Sequence, residues 1–220
     1  MARPAGKSNN VDAAHFVVAI DGPSGAGKST IARLLAERLG IDYVDTGAMY
    51  RAVALASLRG TPLDSQMEGI DVDLDGSRVL LNGEDVSGLI RTAEVTKEAS
   101  RISQFPEVRA RLVALQREMG ARKSVVMDGR DIGSNVFPDA RYKFYLTATP
   151  EERARRRTKE MREKGMDADY AAVLADIEKR DWDDSHRAVN PLVKTADAVE
   201  IVTDGLGIDE VLARVLEIIK

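Results

Sequence analysis

The chain has 220 residues, 32 basic against 36 acidic side chains, a formal net charge of −4 and no cysteine. A chain of this length buries roughly 70% of its unfolded surface and needs no covalent staple; without cysteine it has no disulfide and no thiolate-based zinc or iron–sulfur chemistry. The near-balance of charge excludes general coating of nucleic acid, the 2 histidines argue against a histidine-rich metal site, and no run approaches the about 18 apolar residues of a membrane span.

Residues 1–14, MARPAGKSNNVDAA, are small and polar. They lack the apolar stretch of a secretory signal and read as a disordered leader on a cytoplasmic protein. The first strand is FVVAID (16–21). It runs into GPSGAGKST (22–30), a full match to the phosphate-binding loop pattern. Gly22, Pro23, Ser24, Gly25, Ala26, Gly27, Lys28, Ser29 and Thr30 are therefore the candidate residues for binding a nucleoside triphosphate. Glycines let successive N–H groups turn inward around phosphate oxygens. The following helix adds positive potential at its N-terminus. Lys28 reaches the β- and γ-phosphates, and the Ser29 hydroxyl can ligate Mg²⁺. The helix carries Ile31, Leu34, Leu35 and Leu39 at helical spacing and stops at Gly40.

A second strand, IDYVD (41–45), leads into DTGAMYR. Thr46 sits where a helix starts, and the helix itself is expected over Ala48–Leu58. Tyr50 and Arg51 follow about one turn on, near the strand ends where open α/β sheets bind ligands. The alternative is a helix cap with a surface arginine. From Gly60 to Thr92 the rhythm changes. Asp75-Gly76 and Asn82-Gly83 are tight-turn dipeptides within a short antiparallel insert. A helix is expected over Pro106–Gly120 and a third strand over SVVMD (124–128).

The third strand is followed by DGRDIGSNVFPDA, in which Arg130 and Asp131 project from its carboxyl edge. An arginine there can fork onto a phosphate. RYKFYLT (141–147) and AVEIVT (198–203) complete five near-continuous apolar strands. Their pattern predicts a three-layer, doubly wound α/β sandwich around a five-stranded parallel sheet.

Between the last two strands lie two charged helices. In TPEERARRRTKEMREKG, Thr149, Pro150 and Glu152 make a start signal with a capping box. Arg153, Arg156 and Arg157 share a face. They are either a lid closing over phosphates or a solvated face with pairs such as Glu152–Arg156. In IEKRDWDDSHRAVNPL, Arg180, Asp184 and Arg187 fall at i, i+4 and i+7. They are either surface ion pairs or a cradle for an acceptor. Trp182 reads as packing and His186 as surface. The motifs of GTPases for reading guanine and of transporter ATPases are missing. A second arginine set beyond the donor loop favours phosphotransfer to a small acceptor over a nucleotide switch.

IDGPSGAGKST, DTGAMYR, NGEDVSGLIRT, EASRISQFPEVR, DGRDIGSNVFPDA and RDWDDSHRAVNPL occur in that order from about Val17 onward. Together they resemble bacterial cytidylate kinases. The resemblance implies a P-loop kinase core over 15–59 and 93–220, a helical lid over about 150–185, and a monophosphate-binding insert over 60–92, shorter than in the longer members. It implies transfer of the γ-phosphoryl of ATP, with Mg²⁺, to CMP or dCMP. Arg51, Arg130 and Arg187 match positions around the CMP phosphate, with Thr46 and Tyr50 beside the acceptor. Ser100, Arg109 and Asp131 match positions that read the cytosine edge, and Arg180 and Asp184 lie near the ribose. Lys28, Arg130 and Arg187, with Arg153 or Arg157 from the lid, are the expected catalytic set. The expected partners are these nucleotides alone, with no nucleic acid and no membrane, bound by a monomer.

Overall fold

A computed structural model describes residues 15–63, 67 and 69–219. The leader over 1–14 lies outside the described residues. The chain runs β1 (Val17–Asp21), α1 (Lys28–Leu39), β2 (Asp42–Asp45), α2 (Thr46–Leu58), then three short strands β3 (Val72–Asp75), β4 (Arg78–Leu81) and β5 (Glu84–Asp85). It continues through α3 (Ala93–Ile102), α4 (Pro106–Arg122), β6 (Val125–Gly129), a π-helical turn (Ile132–Val136), β7 (Tyr142–Thr147), α5 (Pro150–Glu163), α6 (Tyr170–His186), β8 (Val199–Val202) and α7 (Ile208–Ile218).

The five long-range strands pair in the order β2-β6-β1-β7-β8, all parallel. Their alternation sends successive side chains to opposite faces. Val17, Ala19, Val125 and Met127 pack with α2, α3, α4 and the small sheet. Val18, Ile20, Val126, Phe144, Leu146 and Ile201 pack with α1 and α7. Both faces are covered, which is why these strands read as unbroken apolar runs. Phe144 is among the largest fully buried side chains, and burial of such a ring contributes about 1.5–3 kcal/mol.

The small sheet, β3-β4-β5, is antiparallel and lies between α2 and α3 in the chain. Its second turn is Asn82-Gly83, both with positive φ (51° and 80°), as a type I′ hairpin requires. Its first turn is Gly76-Ser77, one residue later than the dipeptide suggested, because Asp75 still pairs with Arg78. Helices α3 and α7 go beyond those read from the sequence.

Two helix starts also differ from expectation. The α2 helix begins at Thr46 rather than Ala48, because Asp45 is its cap and accepts from Ala48 N at 2.8 Å. At α5, Thr149 caps and Pro150 follows, yet Glu152 does not complete a capping box. Its carboxylate is spent on Arg155 and Arg156, while Asp204 accepts from Thr149 N at 3.1 Å.

The strand register sets one more feature. Asp21 of β1 stands level with Gly129 of β6 and Tyr145 of β7, and Asp45 of β2 stands level with Asp128. A row of polar side chains therefore crosses the carboxyl edge of the sheet, where ligands of this architecture bind.

Candidate active site

The donor side begins where β1 ends. Gly22 has φ +147°, and a Cβ there would lie 1.9 Å from the Leu146 carbonyl oxygen, so no side chain fits. The loop turns against β7 and opens into α1 at Lys28. Lys28 is buried, and its ammonium donates to the Pro23 carbonyl at 2.7 Å, curling back over the loop. Burial, and then the like charge of Arg130, hold its pKa well below the ordinary lysine value, against the pull of Asp128. Among the described residues no carboxylate is bonded to this cation.

The Ser29 hydroxyl donates to one oxygen of Asp128 at 3.0 Å, and the Tyr43 hydroxyl donates to the other at 2.7 Å. Asp128 is buried, which raises its pKa, as does Asp45. A hydroxyl and one or two carboxylates are hard oxygen donors of the kind Mg²⁺ takes when substrate phosphates and water supply the rest. Among the described residues no group of three or more Asp, Glu or His side chains forms a cage of its own. The donor set thus fits a cation shared with a nucleotide. Asp21 is also buried, and burial pushes its carboxyl up to about 6 against two backbone N–H bonds that pull it down.

Residues expected around the acceptor lie on the segment after β6 and at the end of α6. Arg130 donates through Nε to Asp184 at 2.7 Å. Burial alone would raise the Asp184 pKa, but Arg130, with Arg187 and Arg180, holds the group below the ordinary carboxylate range. Arg187 is not on a helix face shared with Arg180 and Asp184. It lies one residue past α6 in extended backbone (φ −62°, ψ 144°). From there it donates to Asp131 at 3.3 Å and to the Asn190 carbonyl at 2.6 Å. Arg51 pairs with Asp45 at 3.2 Å, and its Nε is buried with no partner. Thr46 does not cap its helix but donates to the Asp128 carbonyl at 2.7 Å, tying α2 to β6.

Asp131 and Arg109 form a buried ion pair at 2.5 Å, with side chains 8% and 2% exposed. Arg109 lies over the Tyr50 ring, 5.8 Å from its centroid. Its Nε is buried and unpartnered. Burial pushes the Tyr50 hydroxyl up to about 12. Ser100 lies on α3, where its carbonyl accepts from Ser103 Oγ at 2.8 Å, and the Ser103 carbonyl in turn accepts from Arg109 at 3.3 Å. The sequence-predicted residues Tyr50, Ser100, Arg109, Asp131 and Arg187 are thus linked through one polar network.

The lid arginines do not share a target. Arg153 is 2% exposed and donates to Ala148 O at 2.9 Å, Ser24 O at 3.1 Å and both oxygens of Asp181 at 2.9 and 2.5 Å. It clamps the donor loop to α6. Arg156 turns to Thr203. Arg157 is exposed, and among the described residues its ion pair is with Glu160, at 3.5 Å. Arg180 forms no ion pair among the described residues; burial, then Arg130, lower its pKa.

A family model described as cytidylate kinase matches residues 18–220. A cytidylate kinase of Caldanaerobacter subterraneus subsp. tengcongensis is 50% identical over 210 residues, covering 92% of this chain and 94% of that protein. A cytidylate kinase of Clostridium perfringens strain SM101 is 47% identical over 207 residues, covering 91% and 95%. The chain belongs to the cytidylate kinase family. The crystal structure of a gluconokinase from Sinorhizobium meliloti 1021 shares the fold, at a TM-score of 0.50 and 15% identity over 93% of this chain and 90% of that one. Family membership makes the chain a kinase, an enzyme of nucleotide-dependent phosphoryl transfer.

Within this family member, sequence reasoning passed over Asp21, Tyr43 and Asp181 and noted Asp128 only as a strand end. The available signal was position. Asp21 and Asp128 lie in the last turn of otherwise apolar strands, at the edge where ligands bind. Tyr43 and Asp181 had no such signal, since only the folded geometry brings them to Asp128 and Arg153.

Proposed function

We propose that the protein transfers the γ-phosphoryl group of ATP to CMP or dCMP, giving ADP and CDP or dCDP. The observation that carries this reading is the buried Arg109–Asp131 pair beside the second arginine set of Arg51, Arg130 and Arg187. Cytosine offers an amino donor next to ring and carbonyl acceptors, and a carboxylate beside a guanidinium is the matching pattern. Ser100 supplies a further hydroxyl to that edge, and Arg180 and Asp184 stand toward the sugar. The Gly22–Thr30 loop, with Lys28 in it, holds the donor phosphates at the positive end of α1. Arg51, Arg130 and Arg187 hold the acceptor phosphate in line. Its oxygen is already a nucleophile, so no general base is required. When Mg²⁺ is bound it neutralises charge across the donor phosphates, and Ser29 and Asp128 are the residues that would hold it. Helices α5 and α6, within about 150–185, act as the lid, and the segment 60–92 as the monophosphate-binding subdomain. No helix of the described residues is long and apolar enough to cross a membrane. We read the protein as a cytoplasmic monomer whose partners are its nucleotides.

The test is ADP release from Mg-ATP with no acceptor and with CMP, dCMP, UMP, AMP, dTMP or shikimate. Turnover is expected with CMP and dCMP, and at background without acceptor. A preferred acceptor other than these two overturns the cytosine reading. Turnover independent of any acceptor overturns the kinase reading.

The two lid arginines are expected to separate. Arg157→Ala removes an exposed cation held only by a surface pair with Glu160 among the described residues, so turnover falls roughly a hundredfold, while melting stays within about 2 °C. Arg153→Ala breaks the clamp on Ser24 and Asp181. It should destabilise by about 2–3 kcal/mol, a fall of roughly 5–10 °C in melting temperature. Calorimetry beside kinetics decides this, and an Arg157→Ala variant of full activity would remove Arg157 from the reaction.

A further inference from the structure

Asp21 ends an otherwise apolar strand, is 6% exposed and makes no ion pair among the described residues. Its two carboxylate oxygens instead accept from consecutive backbone N–H groups, Ile132 N at 2.8 Å and Gly133 N at 2.7 Å. We propose that Asp21 is a positioning residue for the acceptor: its carboxylate fixes the π-helical turn that presents Arg130 and Asp131. The strand that feeds the donor loop thereby sets where the acceptor is held. The inference rests on the acceptor assignment above.

The chemistry singles out this arrangement. A buried carboxylate without a cation is costly, and an apolar residue would complete the strand without that cost. The N–H groups at the start of a helical turn have no partner within it. One oxygen on each of two successive N–H groups fixes both the position and the rotation of the turn. Asp131 immediately precedes Ile132, and its own carboxylate meets Arg109 and Arg187. Arg130, one residue earlier, meets Asp184. A displacement of the turn therefore reaches both the base-facing and the phosphate-facing groups, where sub-ångström errors are expensive. The turn is also pressed onto the carboxylate. A Cβ at Gly133 would lie 3.4 Å from Asp21 Oδ2 and 3.2 Å from Lys143 Cδ. Isolated π-helical turns of this kind recur at functional sites.

The experiment compares wild type, Asp21→Asn and Gly133→Ala, measuring CMP and ATP affinity separately by titration calorimetry, with kcat and melting temperature alongside. Asparagine keeps the size but turns an amide NH₂ onto one of the two N–H groups. The CMP dissociation constant is expected to rise roughly tenfold, with ATP affinity held within about twofold and kcat reduced. Gly133→Ala, whose new methyl meets Lys143 and Asp21 and so displaces the same turn, should shift CMP in the same direction by about threefold. A side chain that merely stabilises the fold would lower the melting temperature without splitting the two affinities. Unchanged CMP affinity, or equal loss for CMP and ATP, overturns the proposal. Should Asp21→Asn not fold, Gly133→Ala decides by the same outcomes. A wild-type protein that bound no CMP would sink the acceptor assignment itself, and this proposal with it.

Discussion

Lys28→Met is expected to lower turnover by about three orders of magnitude while the protein melts at the same temperature or higher. The activity loss follows from where the charge sits. Lys28 is the first residue of α1, and among the described residues its ammonium bonds to the Pro23 carbonyl and to no carboxylate. The charge is therefore free for phosphate, and phosphoryl transfer depends on positioning and charge stabilisation more than on any covalent step by the protein. The stability result follows from the same facts. The ammonium is buried, faces the like charge of Arg130, and stands at the positive end of a helix. Methionine keeps the buried stem and removes those costs, a trade of function against stability seen at many sites. CMP affinity should stay within about twofold, because the groups assigned to the acceptor lie on other elements. Steady-state kinetics, calorimetric titration and thermal melting check the three parts. Loss of CMP binding would show that the donor and acceptor halves are not separable in this way.

The sheet and the donor loop were legible because their signals are local. An apolar strand, a glycine loop and a helix of period 3.6 are each written in fewer than fifteen consecutive residues. The five strands therefore stand where the sequence puts them, to within a residue or two. The acceptor side was legible as a set of motifs and not as a geometry. The i, i+4, i+7 spacing of Arg180, Asp184 and Arg187 assumed a continuous helix. The chain leaves the helix at Arg187, and the side chain reaches Asp131 while staying within 4.0 Å of Asp184. Arg153, Arg156 and Arg157 have helical neighbours in sequence but different partners in space, since Ser24, Asp181 and Thr203 come from distant segments. The position of Asp21 at a strand end was legible, but its partners were hidden for the same reason. Its partners are two backbone groups more than a hundred residues away, and backbone N–H groups leave no trace in a sequence.

Asp131→Ala is expected to destabilise the fold by about 3–5 kcal/mol, lowering the melting temperature by roughly 10 °C, and to weaken CMP far more than ATP. The carboxylate is the shared counter-charge of Arg109 and Arg187, whose side chains are 2% and 5% exposed, and it also accepts from Asn135 Nδ2 at 3.0 Å. Its removal leaves two guanidinium groups facing each other with nothing between them. Burial and the nearness of Arg109 already hold the Arg187 pKa below the ordinary arginine value. A single variant does not separate a lost base contact from a collapsed site, so the informative comparison adds Arg109→Met. Replacing a buried ion pair with apolar side chains is often neutral or stabilising. The Asp131→Ala, Arg109→Met double variant should therefore recover most of the lost melting temperature. It should not recover CMP affinity, because both the acceptor and the donor offered to the cytosine edge are gone. ATP affinity should stay near the wild-type value in the double variant. If CMP binding returns together with stability, Asp131 serves only to neutralise its arginines, and the base is read elsewhere.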